Sequence, residues 1–516
     1  MKTSISIVCA VILILFVNCN TNENHQQVLS YSIDLNDRQE DLFKVSLINP
    51  NLSQADSIYQ FVTSVPGTYQ IADIGRFVRS FKAFDKTGNE IKVERKSQNQ
   101  FRISSPNKVA KIKYEVADIW DSPIKENIPW GMASTSIEND YTLLNTHCVI
   151  GYPISKLSLP INLKIDIPNN WKVGTVLKKI DKDTYWANNF NELIDSPILL
   201  GRLSYATTKI NNTSVDIYSY SKTDLIHSKD LMINIEEILI SAKDFLVELP
   251  VDHYTFLFLF EDKNAGAWEH SYSSIYVMPE SVLTSYFIGN IKSISAHEFF
   301  HILTPLNIHS ELVEKYDFVT PKPSKHLWLY EGVTEWASDI MQFRSGIVSL
   351  EYLLNQYSTK LDINDSYDST YSLEKIAYTS FTKTGFKQYG NVYSKGAIVA
   401  TLLDIKILEL SKGKFGLREI INQLAAKYGK NNSFPEDDFY KIFVDMTFPA
   451  IDDFINNYIR GTEELPLAEY FDKIGIKYFK EYVDDNYGFI QKHKFQIIED
   501  ANAEQLELRN AWSRNL

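Results

Sequence analysis

The sequence His297-Glu298-Phe299-Phe300-His301 constrains the fold of this chain more than any other feature. On an α-helix, residues four apart lie on one face, so the two imidazoles can converge on a single metal ion. The surrounding residues predict a helix over Ser281 to Leu303, which Pro305 brings to an end. The fold must therefore place this helix so that its histidine face meets a further ligand.

The residue types in this motif fit a hydrolytic metal centre. Neutral imidazoles suit Zn²⁺ and leave coordination positions for a carboxylate and a water molecule. Zinc lowers the pKa of bound water from 15.7 to around 7, which makes a nucleophile available at neutral pH. Glu298 follows the first ligand, where it can take the proton of that water as a general base. The alternative is a pair of structural histidines with no metal.

We expect the third ligand on a second helix, within Trp328 to Trp336. This apolar, aromatic segment carries Glu331 and Glu335, and burying two carboxylates is costly unless a cation or hydrogen bonds compensate. We assign Glu331 as the ligand and Glu335 as a residue that hydrogen-bonds a ligand histidine and fixes its tautomer. A solvated helix face is the alternative for both carboxylates, and His309 and His326 are rival ligands.

Two other segments offer groups suited to peptide-bond chemistry. Asn264-Ala265-Gly266-Ala267-Trp268-Glu269-His270 follows the apolar strand predicted at Tyr254 to Phe260, and its small residues let a substrate backbone approach an edge strand. Glu269 would offer a carboxylate to a cation. Tyr393, near the start of a predicted helix, could donate a hydrogen bond to an oxyanion. By residue pattern alone, ordinary structural roles remain open for Glu269 and Tyr393.

The N-terminus has the pattern of an export signal. Lys2 supplies a positive charge, and Ile5 to Val17 is an apolar run too short to span a bilayer comfortably. Cys19 follows in a loose bacterial lipobox, which predicts a signal over 1–19 with lipidation of Cys19. Residues 20–27 form a polar tether. A cleaved secretory signal and an uncleaved anchor are the alternatives.

Composition excludes some classes of partner. The chain has 516 residues, with 52 basic and 65 acidic side chains and a net charge of −13. Nucleic acid is therefore not expected as a partner, since phosphate binding needs clustered Lys and Arg. Three cysteines cannot form a disulfide framework, and Cys148 is predicted to be a small buried residue.

The spacing of apolar residues changes near residues 205–215. Before this point, short segments such as Leu42 to Leu47 and Lys111 to Val116 alternate with a period near two. Beyond it, helical spacing dominates, beginning with Ser228 to Leu249. The fold class predicted is therefore multidomain α+β: an antiparallel β-sandwich-like domain over 28–208, followed by a mainly helical domain over 209–480. Residues 481–516 are predicted as a short tail.

These residues together resemble the gluzincin metallopeptidases and, within them, the M61 glycyl aminopeptidase family. Val65-Pro66-Gly67-Thr68-Tyr69-Gln70-Ile71-Ala72-Asp73 is similar to the signature of that family's β domain. The histidine motif and Trp328 to Glu335 resemble its metal-binding segments. The resemblance implies a thermolysin-like zinc peptidase domain over 209–480. Many members carry a C-terminal PDZ domain, and the residues after Leu467 are too few for a complete one.

The resemblance also implies roles for single residues. Gly266-Ala267-Trp268-Glu269-His270 is similar to the family's exopeptidase segment, in which Glu269 would bind the free α-amine of the substrate. Tyr393-Ser394-Lys395-Gly396-Ala397 is similar to the stretch that carries the transition-state tyrosine. The family name implies a preference for N-terminal glycine or alanine, and Trp268 is a candidate for narrowing the pocket that would select them.

We therefore expect an exported zinc aminopeptidase that acts on peptides and holds one Zn²⁺ per chain. If Cys19 is lipidated, the protein is a membrane-anchored lipoprotein facing the periplasm or the cell surface; otherwise it is soluble and periplasmic or secreted. The alternatives in function are a zinc endopeptidase on the same scaffold, and a non-catalytic surface lipoprotein that binds peptide or glycan. The sequence leaves the oligomeric state open.

Overall fold

The structure, a computed structural model, describes residues 27–429, 431–484 and 489–514. The predicted signal, Cys19 and nearly all of the predicted tether lie outside the described residues. Across the described ranges, no helix combines the length and apolar character needed to cross a membrane.

The first part of the chain forms a β-domain, residues 29–201, built of three sheets. Within the described residues, the largest sheet has eight strands, in the order Lys178–Asp181, Thr184–Ala187, Ile161–Asp166, Leu29–Asp34, Leu42–Ile48, Lys111–Ala117, Val78–Phe84 and Glu90–Ile91. One smaller sheet contains Lys172–Gly174, Ile198–Gly201, Tyr141–Leu144 and Thr135–Ile137. The other contains Tyr152–Pro153, Ile58–Gln60, Gln100–Ile103 and Val93–Arg95.

The β-domain confirms the alternating pattern, with one difference in strand direction. Leu29–Asp34 pairs with Ile161–Asp166 in parallel, whereas the prediction was of antiparallel sheets. The remaining pairs in this large sheet are antiparallel. The parallel pair arises because these two strands are far apart in sequence, so no hairpin fixes their relative direction.

The second domain begins with a five-stranded mixed sheet at Ser204, so the predicted boundary at 208 falls inside its first strand. The strand order is Ser204–Ile210, Thr213–Ser221, His253–Phe260, Ser273–Met278 and Gly266–His270, the last being called here the edge strand. Leu257 and Leu259 pack into the core of the β-domain, and Phe256 and Phe258 pack into the helical core. The central strand is thus buried on both faces, which explains its unbroken apolar sequence.

All but the first of the α-helices in the described residues lie in the second domain. Their bounds are Phe190–Ile194, Ser228–Leu246, Ser285–Phe300, Glu311–Glu314, Thr334–Arg344, Leu350–Asn364, Leu373–Thr379, Lys383–Phe386, Asn391–Leu410, Leu417–Lys427, Phe439–Met446, Ala450–Phe454, Leu467–Lys473 and Ala503–Ser513. Short 3₁₀ segments lie at Gln39–Asp41, Gln54–Asp56, Ile74–Phe77, Pro106–Lys108, Gly131–Ala133 and Thr146–Cys148. Trp328–Val333 and Ile455–Ile459 are π-helical.

The segment after residue 480 is not separate from the rest of the second domain. Ile476–Asp484 and Phe489–Ile497 pair as an antiparallel hairpin, which the helix Ala503–Ser513 follows. Trp512 is fully buried in the helical core, and its carbonyl accepts a hydrogen bond from Arg344. The hairpin and the final helix therefore complete the second domain's core.

Candidate active site

The histidine motif lies at the C-terminal end of the helix Ser285–Phe300, here called the motif helix. Thr284 caps its N-terminus by accepting a hydrogen bond from the Phe287 amide. Apolar neighbours within the motif, Phe299 and Phe300, are buried in the helical core and fix the rotation of the helix. His297 and His301 consequently point together away from that core, as their spacing predicted.

The predicted third ligand lies on the π-helical turn Trp328–Val333, called here the π-turn, instead of on a regular α-helix. A π-helical turn makes hydrogen bonds from residue i to residue i+5, is rare, and occurs often at functional sites. All six residues of the turn are buried, including Glu331. Residues Thr334–Arg344 then continue as an α-helix that carries Glu335.

The three predicted ligands converge on one point. His297 Nε2 lies 3.2 Å from His301 Nε2, and Glu331 Oε2 lies 3.5 Å from each of these nitrogens. Bonds of about 2.0–2.1 Å in a tetrahedral arrangement hold ligand atoms about 3.4 Å apart, so the triangle fits zinc. Glu331 Oε2 is buried and has no hydrogen-bond donor among the described residues, as expected for an atom reserved for a cation.

Hydrogen bonds on the far side of each ring orient the two imidazoles. His297 Nδ1 donates to Glu335 Oε2 over 2.6 Å, and His301 Nδ1 donates to the Thr304 carbonyl over 2.9 Å. Each ring therefore carries its proton on Nδ1 and directs the lone pair of Nε2 toward the point of convergence. The structure places Glu335 where the sequence predicted it.

Glu335 is itself held by a buried ion-pair network. Lys360 Nζ lies 2.5 Å from Glu335 Oε1 and 3.2 Å from Asp339 Oδ2. Burial alone would raise the pKa of Glu335, but the charge of Lys360 and the hydrogen bond from His297 lower it well below its usual range. Glu335 is therefore an anion, and it favours the donated Nδ1 proton of His297.

The rival ligands lie elsewhere. His326 Nε2 donates to the Glu436 carbonyl over 2.8 Å, and its ring packs against Phe434 and Phe439. His309 is buried. Among the described residues, neither histidine belongs to a cluster of potential metal ligands, whereas His297, His301 and Glu331 do.

Two further carboxylates stand next to the convergence point. Glu269, Glu298 and His301 each offer a ligand-type atom, and these atoms lie within 4.8 Å of one another. Burial raises the pKa of Glu298 to about 8, and burial followed by the charges of Glu331 and Glu298 raises the pKa of Glu269 well above its usual range. Several carboxylates buried close together favour the binding of a cation, because the cation offsets their mutual repulsion.

The edge strand presents its residues on two different faces. Glu269 and Ala267 face the second domain, whereas Trp268 packs into the β-domain core, where its ring centroid lies 5.3 Å from that of His147. Gly266 has a positive φ of 140°, and a Cβ there would approach Met132 Sδ to 2.7 Å. The strand thus brings Glu269 to the metal ligands while Trp268 secures it to the β-domain.

A loop of the β-domain also reaches the site, which the sequence pattern did not predict. A Cβ on Gly67 would lie 2.7 Å from Glu269 Oε1 and 2.5 Å from Trp268 Nε1, so only glycine permits this approach. Two residues on, the Tyr69 ring lies 5.4 Å from that of Tyr389. The segment that resembled a family signature therefore contributes to the wall of the site.

Tyr393 lies at the site together with a second tyrosine that sequence analysis missed. Its ring centroid is 5.5 Å from that of His297, and its hydroxyl is 3.1 Å from that of Tyr389. Burial raises the pKa of Tyr393 well above its usual value, so the phenol stays protonated and can donate. Tyr389 precedes Tyr393 by four residues, a spacing that could have indicated it.

A groove of about 880 Å³ lies between the two domains, and Glu269 is one of its lining residues. Its walls combine β-domain residues such as Asn189 and Asp195 with His270 and Tyr316 of the second domain. Through Glu269 the groove adjoins the site, and its volume lies in the range of ligand-binding clefts.

Two family models match this chain. The M61 peptidase N-terminal domain matches residues 30–202, and the M61 glycyl aminopeptidase model matches residues 290–399. The chain belongs to the M61 peptidase family. It is accordingly a metallopeptidase, and the second match includes the C-terminal part of the motif helix, Glu331 and both tyrosines. Glu269 lies between the two matched segments. A comparison with curated protein sequences gave no significant match.

Solved structures confirm the predicted fold class. An aminopeptidase N family protein from Idiomarina loihiensis is 21% identical and has a TM-score of 0.79, covering 89% of this chain and 80% of that chain. An M1 zinc metallopeptidase from Deinococcus radiodurans, solved with a Tyr-Ser-Ala substrate, is 10% identical with a TM-score of 0.51, covering 86% and 95% respectively. Because both identities are low, the similarity of these two structures to the M61 peptidase is a similarity of fold.

The backbone contact that sets Tyr393 beside Glu331 yields a stability prediction. Gly396, on the helix Asn391–Leu410, faces Gly332 of the π-turn, and a Cβ on Gly396 would lie 2.7 Å from the Gly332 Cα. We expect Gly396→Ala to lower the unfolding free energy by about 1–3 kcal/mol, because backbone must move to relieve the overlap. Chemical denaturation of the purified protein measures this.

Gly289→Ala on the motif helix is the matched control, since a Cβ there meets nothing within 4 Å. It should raise the unfolding free energy by about 0.5–1 kcal/mol through helix propensity. A Gly396→Ala protein as stable as the wild type would contradict the proposed close approach.

Proposed function

We propose that this M61 peptidase is a zinc aminopeptidase that removes N-terminal residues from peptides. The observation that carries the proposal is the triangle of His297 Nε2, His301 Nε2 and Glu331 Oε2, with edges of 3.2, 3.5 and 3.5 Å. The carboxylates of Glu298 and Glu269 beside this triangle supply a base and an amine-binding group. Family membership agrees with peptide hydrolysis.

The proposed division of labour follows from the contacts. His297, His301 and Glu331 would hold the zinc ion, which would supply Lewis acidity and lower the pKa of water toward neutral. Glu298, buried and with Oε2 free of hydrogen bonds among the described residues, takes the proton of the attacking water. It then delivers that proton to the departing amine. Tyr393 donates a hydrogen bond to the oxyanion of the tetrahedral intermediate.

Glu269 gives the proposal its exopeptidase character. No side chain of the described residues donates a hydrogen bond to this carboxylate, although it is about nine-tenths buried. A substrate α-ammonium group would satisfy it and offset the neighbouring negative charges. Preference for N-terminal glycine or alanine is part of the proposal and has its support in the family name, with Gly266, Ala267 and Trp268 along the strand that carries Glu269.

We further propose that the enzyme is exported and anchored through a lipid on Cys19, facing the periplasm or the cell surface. The support is the charged residue, short apolar run and lipobox-like cysteine at the start of the sequence.

The metal and base assignments predict separable losses. His301→Ala should no longer retain zinc, because one of three ligands is gone, whereas Glu298→Gln should bind zinc and lose about 10²- to 10⁴-fold in turnover. Metal content by mass spectrometry and hydrolysis of an unblocked dipeptide measure the two effects. A Glu298→Gln enzyme with wild-type turnover would exclude Glu298 as the base.

The amine-binding assignment predicts discrimination against blocked substrates. Wild-type enzyme should cleave a free peptide and leave its N-acetylated form intact, because acetylation removes the charge that Glu269 binds. Glu269→Gln should raise KM for the free peptide about tenfold or more, as expected for a lost charged hydrogen bond. The free and the acetylated peptide should then be cleaved with more similar efficiency. Equal cleavage of both peptides by the wild type would favour the endopeptidase alternative.

The export assignment predicts labelling by a fatty acid. A bacterial host expressing the full chain should incorporate a clickable palmitate analogue into it, and Cys19→Ala should remove the label because the acceptor thiol is lost. The same label in both proteins would show that Cys19 is not the acceptor.

A further inference from the structure

The hydroxyl of Tyr389 lies between the proposed third metal ligand and the proposed oxyanion donor. It is 3.3 Å from Glu331 Oε1 and 3.1 Å from the Tyr393 hydroxyl. These are moderately long hydrogen bonds, made by a partly buried side chain. Tyr389 therefore contacts two parts of the machinery at once.

A count of protons fixes the direction of both hydrogen bonds. A carboxylate only accepts, so Tyr389 donates its single proton to Glu331. The Tyr389 oxygen is then left as an acceptor, and the proton in the contact between the two phenols must come from Tyr393. In the absence of substrate, the Tyr393 proton accordingly points at Tyr389 and has to turn about the C–O bond to reach an oxyanion.

The two oxygens of Glu331 have different partners. Oε1 accepts from Tyr389, whereas Oε2 faces the two Nε2 atoms and has no hydrogen-bond donor among the described residues. A carboxylate tied at one oxygen cannot rotate freely about its terminal bond, so the other oxygen stays aimed at the ion. Each histidine ligand has its own orienting acceptor, Glu335 or the Thr304 carbonyl. Tyr389 plays the corresponding orienting role for Glu331, the third ligand.

The position of Tyr389 depends on the other domain. The ring of Tyr69, from the β-domain loop that also approaches Glu269, packs against that of Tyr389 with an angle of 37° between the planes. The Tyr389 ring also meets that of Tyr393 nearly at right angles, at 79°. These contacts on two sides restrict the ring and therefore the hydroxyl.

We infer that Tyr389 is a positioning residue that holds Glu331 as a metal ligand and accepts a hydrogen bond from the Tyr393 hydroxyl before substrate binds. This inference rests on the proposed zinc site but not on the proposed aminopeptidase activity, since its main test needs the metal alone.

The test compares zinc affinity in Tyr389→Phe and wild-type protein, measured by competition with a chromophoric chelator. Removing one hydroxyl should raise the zinc Kd about 10- to 100-fold, the usual cost of losing a group that orients a metal ligand. Tyr393→Phe should leave the zinc Kd unchanged, because the Tyr393 hydroxyl hydrogen-bonds Tyr389 and makes no hydrogen bond to Glu331. Tyr378→Phe, an exposed tyrosine 63% accessible to solvent, is the matched control.

A double variant separates positioning from a general effect on the fold. If Tyr389 acts through Glu331, then adding Tyr389→Phe to Glu331→Gln should weaken zinc binding no further. The inference would be overturned if the double variant bound zinc about 10-fold more weakly than Glu331→Gln alone. It would also be overturned if Tyr389→Phe had the zinc Kd of the wild type. A wild-type protein that binds no zinc would instead refute the metal site itself. If the Kd values change as expected but the enzyme cleaves no peptide, only the proposed activity is refuted.

Discussion

Convergence of two imidazole nitrogens and one carboxylate oxygen is the constraint on which the rest of this structure depends. The two nitrogens come from a single helix, so their spacing is local, but the oxygen comes from a turn some thirty residues later. Bringing the turn to the helix requires the apolar core beneath both. The close approach of Gly332 to Gly396 then fixes the turn against the helix that carries Tyr393.

Around this triangle the protein keeps an unusual number of buried carboxylates. Glu331 accepts a hydrogen bond from Tyr389 and lies next to the two histidines, and Glu335 contacts Lys360 and His297. These two carboxylates are therefore stable as anions. Among the residues that the structure describes, Glu298 and Glu269 have no comparable side-chain partners, and burial raises the pKa of each. The site is therefore built for cations that it does not itself provide, which fits a metal ion and a substrate ammonium group.

The two domains cannot be assigned separate tasks. The central strand His253–Phe260 packs one face into each core. On the edge strand, Trp268 likewise faces the β-domain and Glu269 faces the second domain. Gly67 and Tyr69 of the β-domain then approach Glu269 and Tyr389. Because both domains supply groups to the site, changes in how the domains pack should affect the site directly.

By itself, the sequence determined the features that depend on short-range periodicity. The helix with His297 and His301, the alternating strands and the change to helical spacing follow from side-chain spacing, which local backbone geometry imposes. Glu331 and Glu335 could be predicted because carboxylates in an apolar segment need partners. Only the tertiary structure decided that Glu331 lies on a π-turn, that Tyr389 joins it to Tyr393, and that Gly67 reaches Glu269. These contacts join residues distant in sequence, whose meeting depends on how the two cores pack.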